Sequence, residues 1–233
     1  MKTFLLRAAS RGHVESGWLN TWHSFSFAHY YNPERMGYGA LRVINDDTIA
    51  PGAGFDEHFH DNMEIVTIPL SGALEHKDSL GNKGQITAGE VQHMSAGHGI
   101  LHAEYNASPT EPVSLFQIWL LPNERQIKPS YSQKRINLES KPNQFVDLEL
   151  PLHQAATFYL GRFDQDTETA LSVRSADHGL FVMVIEGKAE TAGEILEKRD
   201  ALGVSGIKEL PITAKAGSFI LIMEIPMLNQ AET

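Results

Sequence analysis

The stretch Gly54-Phe55-Asp56-Glu57-His58-Phe59-His60-Asp61-Asn62-Met63-Glu64-Ile65-Val66-Thr67, closing at Gly72, decides the reading of this 233-residue chain. Residues 64–68 are dominated by β-branched side chains and run into a turn glycine, the mark of a strand. Side chains two apart on a strand leave the same face, so His58 and His60 point together. The same pattern continues outward: residues 41–45, 114–120, 157–160, 180–185 and 218–225 also read as strands of ordinary length. Asn45-Asp46-Asp47, Leu80-Gly81-Asn82-Lys83-Gly84 and Ala88-Gly89-Glu90 read as the turns of hairpins or meanders, and residues 194–202 are the one helix-like stretch. Short strands at close, even spacing predict an all-β chain built as a jelly-roll-like barrel rather than a βαβ sheet.

Hydrophobic residues at 42% and charged residues at 21%, with 19 Gly and 11 Pro, are the usage of a turn-rich globular protein. A formal charge of -10 offers no broad cationic surface, which argues against direct contact with nucleic acid or with an anionic membrane. The apolar run at residues 4–6 is shorter than a signal-peptide core, and residues 219–223 meet Glu224 and Pro226 well before the roughly 20 apolar residues of a membrane span. The expected location is the cytoplasm. With no cysteine, thiol nucleophiles, disulfides and thiolate metal sites are excluded, so any bound ion must rest on His, Asp or Glu.

A polar, Pro-bearing segment separates two strand-rich halves, which predicts an N-terminal barrel over 1–125, a linker over 126–143 and a C-terminal barrel over 144–233. The halves echo one another: Pro69-Leu70-Ser71-Gly72 with Ile86 and Glu90-Val91, against Val184-Ile185-Glu186-Gly187 with Ile195 and Asp200-Ala201. Nine of the 11 histidines lie within residues 1–102, so metal chemistry belongs to the first half. His58-Phe59-His60 and His102-Ala103-Glu104 each place two donors on one strand face, and two paired strands then aim three imidazoles and a carboxylate at one point. Such pairs also arise by chance at this histidine content, His13-Val14-Glu15 being one, so the weight falls on the longer text around them.

That text, residues 54–72 together with Gly97-His98-Gly99-Ile100-Leu101-His102-Ala103-Glu104, resembles the two motifs of the cupin superfamily in the form found in pirins. Further matches to the pirin family are Trp22-His23-Ser24-Phe25-Ser26-Phe27-Ala28-His29-Tyr30-Tyr31, Leu41-Arg42-Val43-Ile44-Asn45-Asp46-Asp47, Glu75-His76-Lys77-Asp78-Ser79-Leu80-Gly81-Asn82-Lys83-Gly84 and Met94-Ser95-Ala96-Gly97. The similarity runs in register from about residue 4 to 122 and, more weakly, to the C-terminus. In particular the sequence looks like the bacterial pirin-like proteins described as quercetin 2,3-dioxygenases.

The resemblance implies a bicupin fold whose C-terminal barrel has lost its metal: counting back from Gly187 puts Val173 and Ser175 where His58 and His60 stand. It implies His58, His60, His102 and Glu104 as ligands of one divalent transition metal, with Fe(II) expected, although the donor set also suits Cu, Ni, Co, Mn or Zn. Glu64 is expected just outside the ligands. The implied activity is opening of the central ring of a flavonol by dioxygen with release of carbon monoxide, Glu104 also acting catalytically by taking the proton of the 3-hydroxyl. A flavonol-like molecule and dioxygen are then the partners. The alternative is a non-enzymatic, metal-dependent regulator that binds a transcription factor or a metabolic enzyme, and a third is another cupin reaction such as isomerisation. Phe25, Phe27, Tyr30, Tyr31, Met63, Met94 and Phe116 are candidates for an apolar pocket, most of them expected in the core instead. Phe59 stands where the family commonly has proline, Asp61-Asn62-Met63 replaces a frequent Arg-Gly-Phe, and His98 replaces a frequent arginine, which predicts a less cationic mouth.

Overall fold

The computed structural model describes residues 1–228. Among them the first half forms β1 (Lys2–Leu6), β2 (Gly12–Glu15), β3 (Leu19–His23), β4 (Leu41–Ile49), β5 (Gly54–His60), β6 (Glu64–Ser71), β7 (Ala73–Asp78), β8 (Lys83–Thr87), β9 (Glu90–Ser95), β10 (Ile100–Asn106) and β11 (Val113–Leu120). The second half continues with β12 (Ser130–Arg135), β13 (Phe145–Asp147), β14 (Thr157–Phe163), β15 (Thr167–Ser172), β16 (His178–Glu186), β17 (Lys188–Thr191), β18 (Glu194–Glu197), β19 (Ala201–Ser205), β20 (Glu209–Ala214) and β21 (Ser218–Pro226). All the named pairings are antiparallel, and the only helical turn among the described residues is the 3-10 turn Ala8–Ser10.

Each half is a pair of facing sheets. The first combines the order β12-β9-β6-β11-β4-β3-β2 with β5-β10-β7-β8, and the second combines β1-β19-β16-β21-β14-β13 with β15-β20-β17-β18. The strings β9-β6-β11-β4 and β5-β10-β7-β8 recur in the second half with every strand number raised by ten. The fold is thus a bicupin, and the echo seen in the sequence is a repeat of the whole strand order.

Sheet membership departs from the expected boundaries at two places. Residues 130–135, expected in a linker, form β12 and extend the first barrel by pairing with β9, Ser130 opposite Ser95. β1 crosses the other way and pairs with β19, Lys2 opposite Ser205. Both crossings cover a sheet edge that would otherwise offer unpaired backbone groups. The helix-like stretch 194–202 is instead the hairpin strand β18 followed by the start of β19, with left-handed residues at Ala192, Gly193 and Arg199 making the turns. Asn45-Asp46-Asp47 is not a turn but the middle of β4, its polar side chains kept for purposes given below.

One cluster of buried apolar side chains draws on both halves, Phe25, Ile44 and Ile118 packing with Phe158, Phe181 and Leu221. The barrels therefore share a core. The interior of the second barrel is separately apolar, filled by Leu180, Leu196, Leu202, Leu210 and Ile212.

Candidate metal centre

β5 and β10 are neighbours, and their register sets His102 opposite His58 and Ile100 opposite His60. Ring centroids lie 4.4 Å apart for His58 and His102, 4.7 Å for His58 and His60, and 4.9 Å for His60 and His102. The three imidazoles present ligand atoms within 4.8 Å of one another. Glu104 makes an equally close group with His102 and with His76 of β7, whose strand lies on the other side of β10. His102 belongs to both groups and links them, and the second group adds a further imidazole, that of His76.

The polar inventory of this cluster is incomplete in a way that suits a cation. Both ring nitrogens of His102, Nδ1 of His76 and Oε1 of Glu104 are buried with no hydrogen-bond partner. Orphans of this kind cost free energy unless something absent from the polypeptide satisfies them. The remaining atoms are held in place. His58 Nδ1 donates to the Asp56 carbonyl at 2.7 Å, which leaves its Nε2 as the lone-pair atom. Gln117 Nε2 donates to Glu104 Oε2 at 2.7 Å, and His76 Nε2 meets Asp78 Oδ2 at 3.1 Å. Burial, reinforced by neighbouring imidazoles, pushes His60 down to about 4 and His102 to about 2, so both rings are neutral and their lone pairs available. Burial, with Asp47 nearby, pushes Glu104 up to about 7. Neutral imidazoles plus a carboxylate reluctant to hold its charge alone are the donor set of a divalent transition metal.

A cavity of about 380 Å³ opens onto His58, His60 and Glu104. Its walls are Trp18, Leu19, Phe27, Phe55 and Trp119, with Thr21, His23, Asn45, Asp47 and Gln117 supplying polar groups. Of the seven apolar candidates from the sequence, Phe27 alone lines it. Phe25, Met94 and Phe116 are core residues, Met63 packs on the Met94 cluster, and Tyr31 is exposed. Phe55 enters because the register slips by one residue between His102 and Glu104, setting Glu104 opposite Phe55. This β-bulge lets residues 55 and 58, an odd number apart, face the same cavity. Strict alternation conceals it, whereas the His-x-Asp spacing of His76 and Asp78 was available as a signal. The Glu64 carboxylate accepts from His93 Nε2 at 2.7 Å, Ser95 Oγ at 2.6 Å and the His153 backbone N–H at 3.0 Å.

The second barrel shows what replaces such a centre. Matching Gly187 to Gly72 aligns Thr191 with His76, and the pairings of Thr191 with Ile212 and of His76 with Glu104 then align Ile212 with Glu104 and Leu210 with His102. Both are buried in the apolar core of that barrel.

Comparison with known proteins agrees with this arrangement. Residues 6–120 match the family model described as Pirin, and residues 143–225 the one described as Quercetinase C-terminal cupin domain. The quercetin 2,3-dioxygenase of Escherichia coli K12 is 40% identical over 228 residues, covering 96% of this chain and 98% of that protein. The crystal structure of YhhW from Escherichia coli superposes with a TM-score of 0.93 at 38% identity, covering 98% of this chain and all of the other. A crystal structure of that bacterial pirin in complex with nickel(II) gives a TM-score of 0.89, covering 97% and 100%. With its strand order, its paired barrels and its full-length kinship, the chain belongs to the pirin family.

Proposed function

We propose that the chain is a metal-dependent dioxygenase that opens the central ring of a flavonol such as quercetin and releases carbon monoxide. The observation that carries this reading is the set of orphaned donor atoms on His102 and Glu104 beside a cavity that Glu104, His58 and His60 line together with aromatic side chains. His58, His60, His102 and Glu104 would hold one divalent ion, Fe(II) being the expected one. When bound, that ion supplies Lewis acidity and open coordination positions. The protein's own residues do the rest. Trp18, Phe27, Phe55 and Trp119 offer flat apolar surfaces that suit a planar polyphenol and exclude water. Glu104 borders the cavity with Oε2 tethered by Gln117 and Oε1 unengaged, which supports a carboxylate that both holds the ion and takes the proton of a substrate hydroxyl. The dioxygenase names carried by relatives that align over nearly their whole length support the same reading.

The test is direct. Metal-loaded protein incubated with quercetin is expected to consume dioxygen, release carbon monoxide and bleach the flavonol absorbance, and His102→Ala is expected to abolish all three. A metal-replete protein that consumes no dioxygen, yet changes its affinity for a regulatory protein with metal state, would overturn the enzyme in favour of a binding role.

A further inference from the structure

Asp47 is a buried carboxyl that the protein alone leaves only loosely partnered. It sits in the middle of β4, 3% exposed, with Oδ1 lacking any hydrogen-bond partner. Opposite it on β3 stands Thr21, also buried, whose hydroxyl approaches the carboxyl without closing a hydrogen bond of ordinary geometry. Both line the cavity that opens onto the histidine cluster. The neighbouring pair in the same register, His23 and Asn45, shows the contrast, since Nδ1 and Oδ1 there satisfy each other at 2.7 Å. Asp46, facing the other way, is fully engaged by Arg11 at 3.0 Å and Arg199 at 2.8 Å. Three consecutive polar residues on one strand thus have separate fates, and Asp47 is the one left open.

Retaining a buried, unpaired carboxyl is costly unless a partner arrives. No cation of the chain makes an ion pair with it among the described residues. The cavity wall beside it contains Trp119, whose indole N–H is also buried and unpartnered. Two oxygens that can accept, a threonine hydroxyl that can do either and an indole donor, set among aromatic walls, are complementary to a flat molecule carrying several ring hydroxyls.

We propose that Asp47, backed by Thr21, is a specificity-determining residue that accepts a hydrogen bond from a ring hydroxyl of the substrate other than the hydroxyl presented to the metal cluster. This rests on the flavonol reading above and adds to it: the favoured substrates are polyhydroxylated, because a site built around a buried acceptor leaves that acceptor unpaired when the hydroxyl is missing.

The experiment compares binding of quercetin, with five hydroxyls, and 3-hydroxyflavone, with one, to metal-loaded protein by quenching of tryptophan fluorescence. The wild type is expected to prefer quercetin by at least about tenfold. In Asp47→Leu that preference falls to near unity, and in Asp47→Asn, which keeps an acceptor oxygen, most of it returns. Thr21→Val supplies an independent reduction should the leucine variant fail to fold. Metal content is measured on every variant, so that a lost ion is not mistaken for a lost hydrogen bond. An unchanged preference in the folded, metal-loaded variants overturns the role of Asp47 and leaves the functional reading standing. Absence of binding of either flavonol to the metal-loaded wild type overturns both.

Discussion

Gln117 and Glu104 show how much of the centre depends on single atoms: one carboxylate oxygen is tethered at 2.7 Å while the other is buried and unengaged. The second barrel has already made the opposite choice at the matching positions with Leu210 and Ile212. The double change His102→Leu with Glu104→Ile is therefore expected to abolish metal binding while raising the stability of the metal-free protein by about 1–3 kcal/mol, through loss of buried unsatisfied groups. Metal analysis and urea unfolding in chelator check the two halves of this statement. A metal-free protein less stable than the parent would show that the orphans are satisfied in some other way.

Asp47 makes a pH-dependent prediction at the same scale. Burial pushes its carboxyl up to about 7. An acid whose folded pKa lies above its unfolded value is favoured in the fold while protonated. Its contribution is therefore full below about pH 4 and is lost as pH rises through 7. Asp47→Asn stays neutral throughout, so its stability relative to the parent is expected to climb between pH 4 and 8, by on the order of a few kcal/mol. Parallel urea midpoints for the two metal-free proteins across that range would contradict it.

At the scale of the element, the decisive contact is the approach of β5 to β10. A Cβ on Gly54 would stand 2.2 Å from the Glu104 carbonyl oxygen and 2.5 Å from Tyr105 Cα, both backbone atoms that cannot swing aside. Glycine is required there because the strands close tightly next to the bulge that brings Phe55 into the cavity with His58 and His60. Gly54→Ala is expected to push the two ligand-bearing strands apart, costing about 1–3 kcal/mol of stability, and to weaken metal affinity although no ligand has changed. Metal titration of the folded variant measures the second effect, and unaltered affinity would mean the centre tolerates the shift.

At the scale of the whole molecule, the barrels are joined by a shared core, by the crossing of β1 to the second barrel and by one half-buried charge cluster. Asp46 of the first barrel accepts from Arg11 and from Arg199 of the second, and Arg199 also lies over the Phe116 ring at 5.0 Å. Removing the central anion leaves Arg11 with the Ala8 carbonyl and Arg199 with the Ile185 carbonyl and Glu186 at 3.9 Å, each without its close carboxylate. Asp46→Ala is therefore expected to destabilise the protein by about 1–3 kcal/mol in a single transition of both barrels, since their core is common. Differential scanning calorimetry distinguishes this from two separate transitions, which would mean the halves are energetically independent.

Sequence alone determined the β class, most strand positions, the doubled plan and the histidine-bearing pairs, because these follow from period-two alternation, turn residues and motif text, which are local. It misplaced Asn45, Asp46 and Asp47, since three polar residues in a row look like a turn, while the side chains that engage Asn45 and Asp46 lie 22, 35 and 153 positions away and Asp47 faces a cavity. It also missed Phe55, hidden by a one-residue register slip, the addition of β12 to the first barrel and the passage of β1 to the second. Those features were decided only when the chain closed, because register, bulges and cavities are set by which distant strands meet, and no local pattern encodes the meeting.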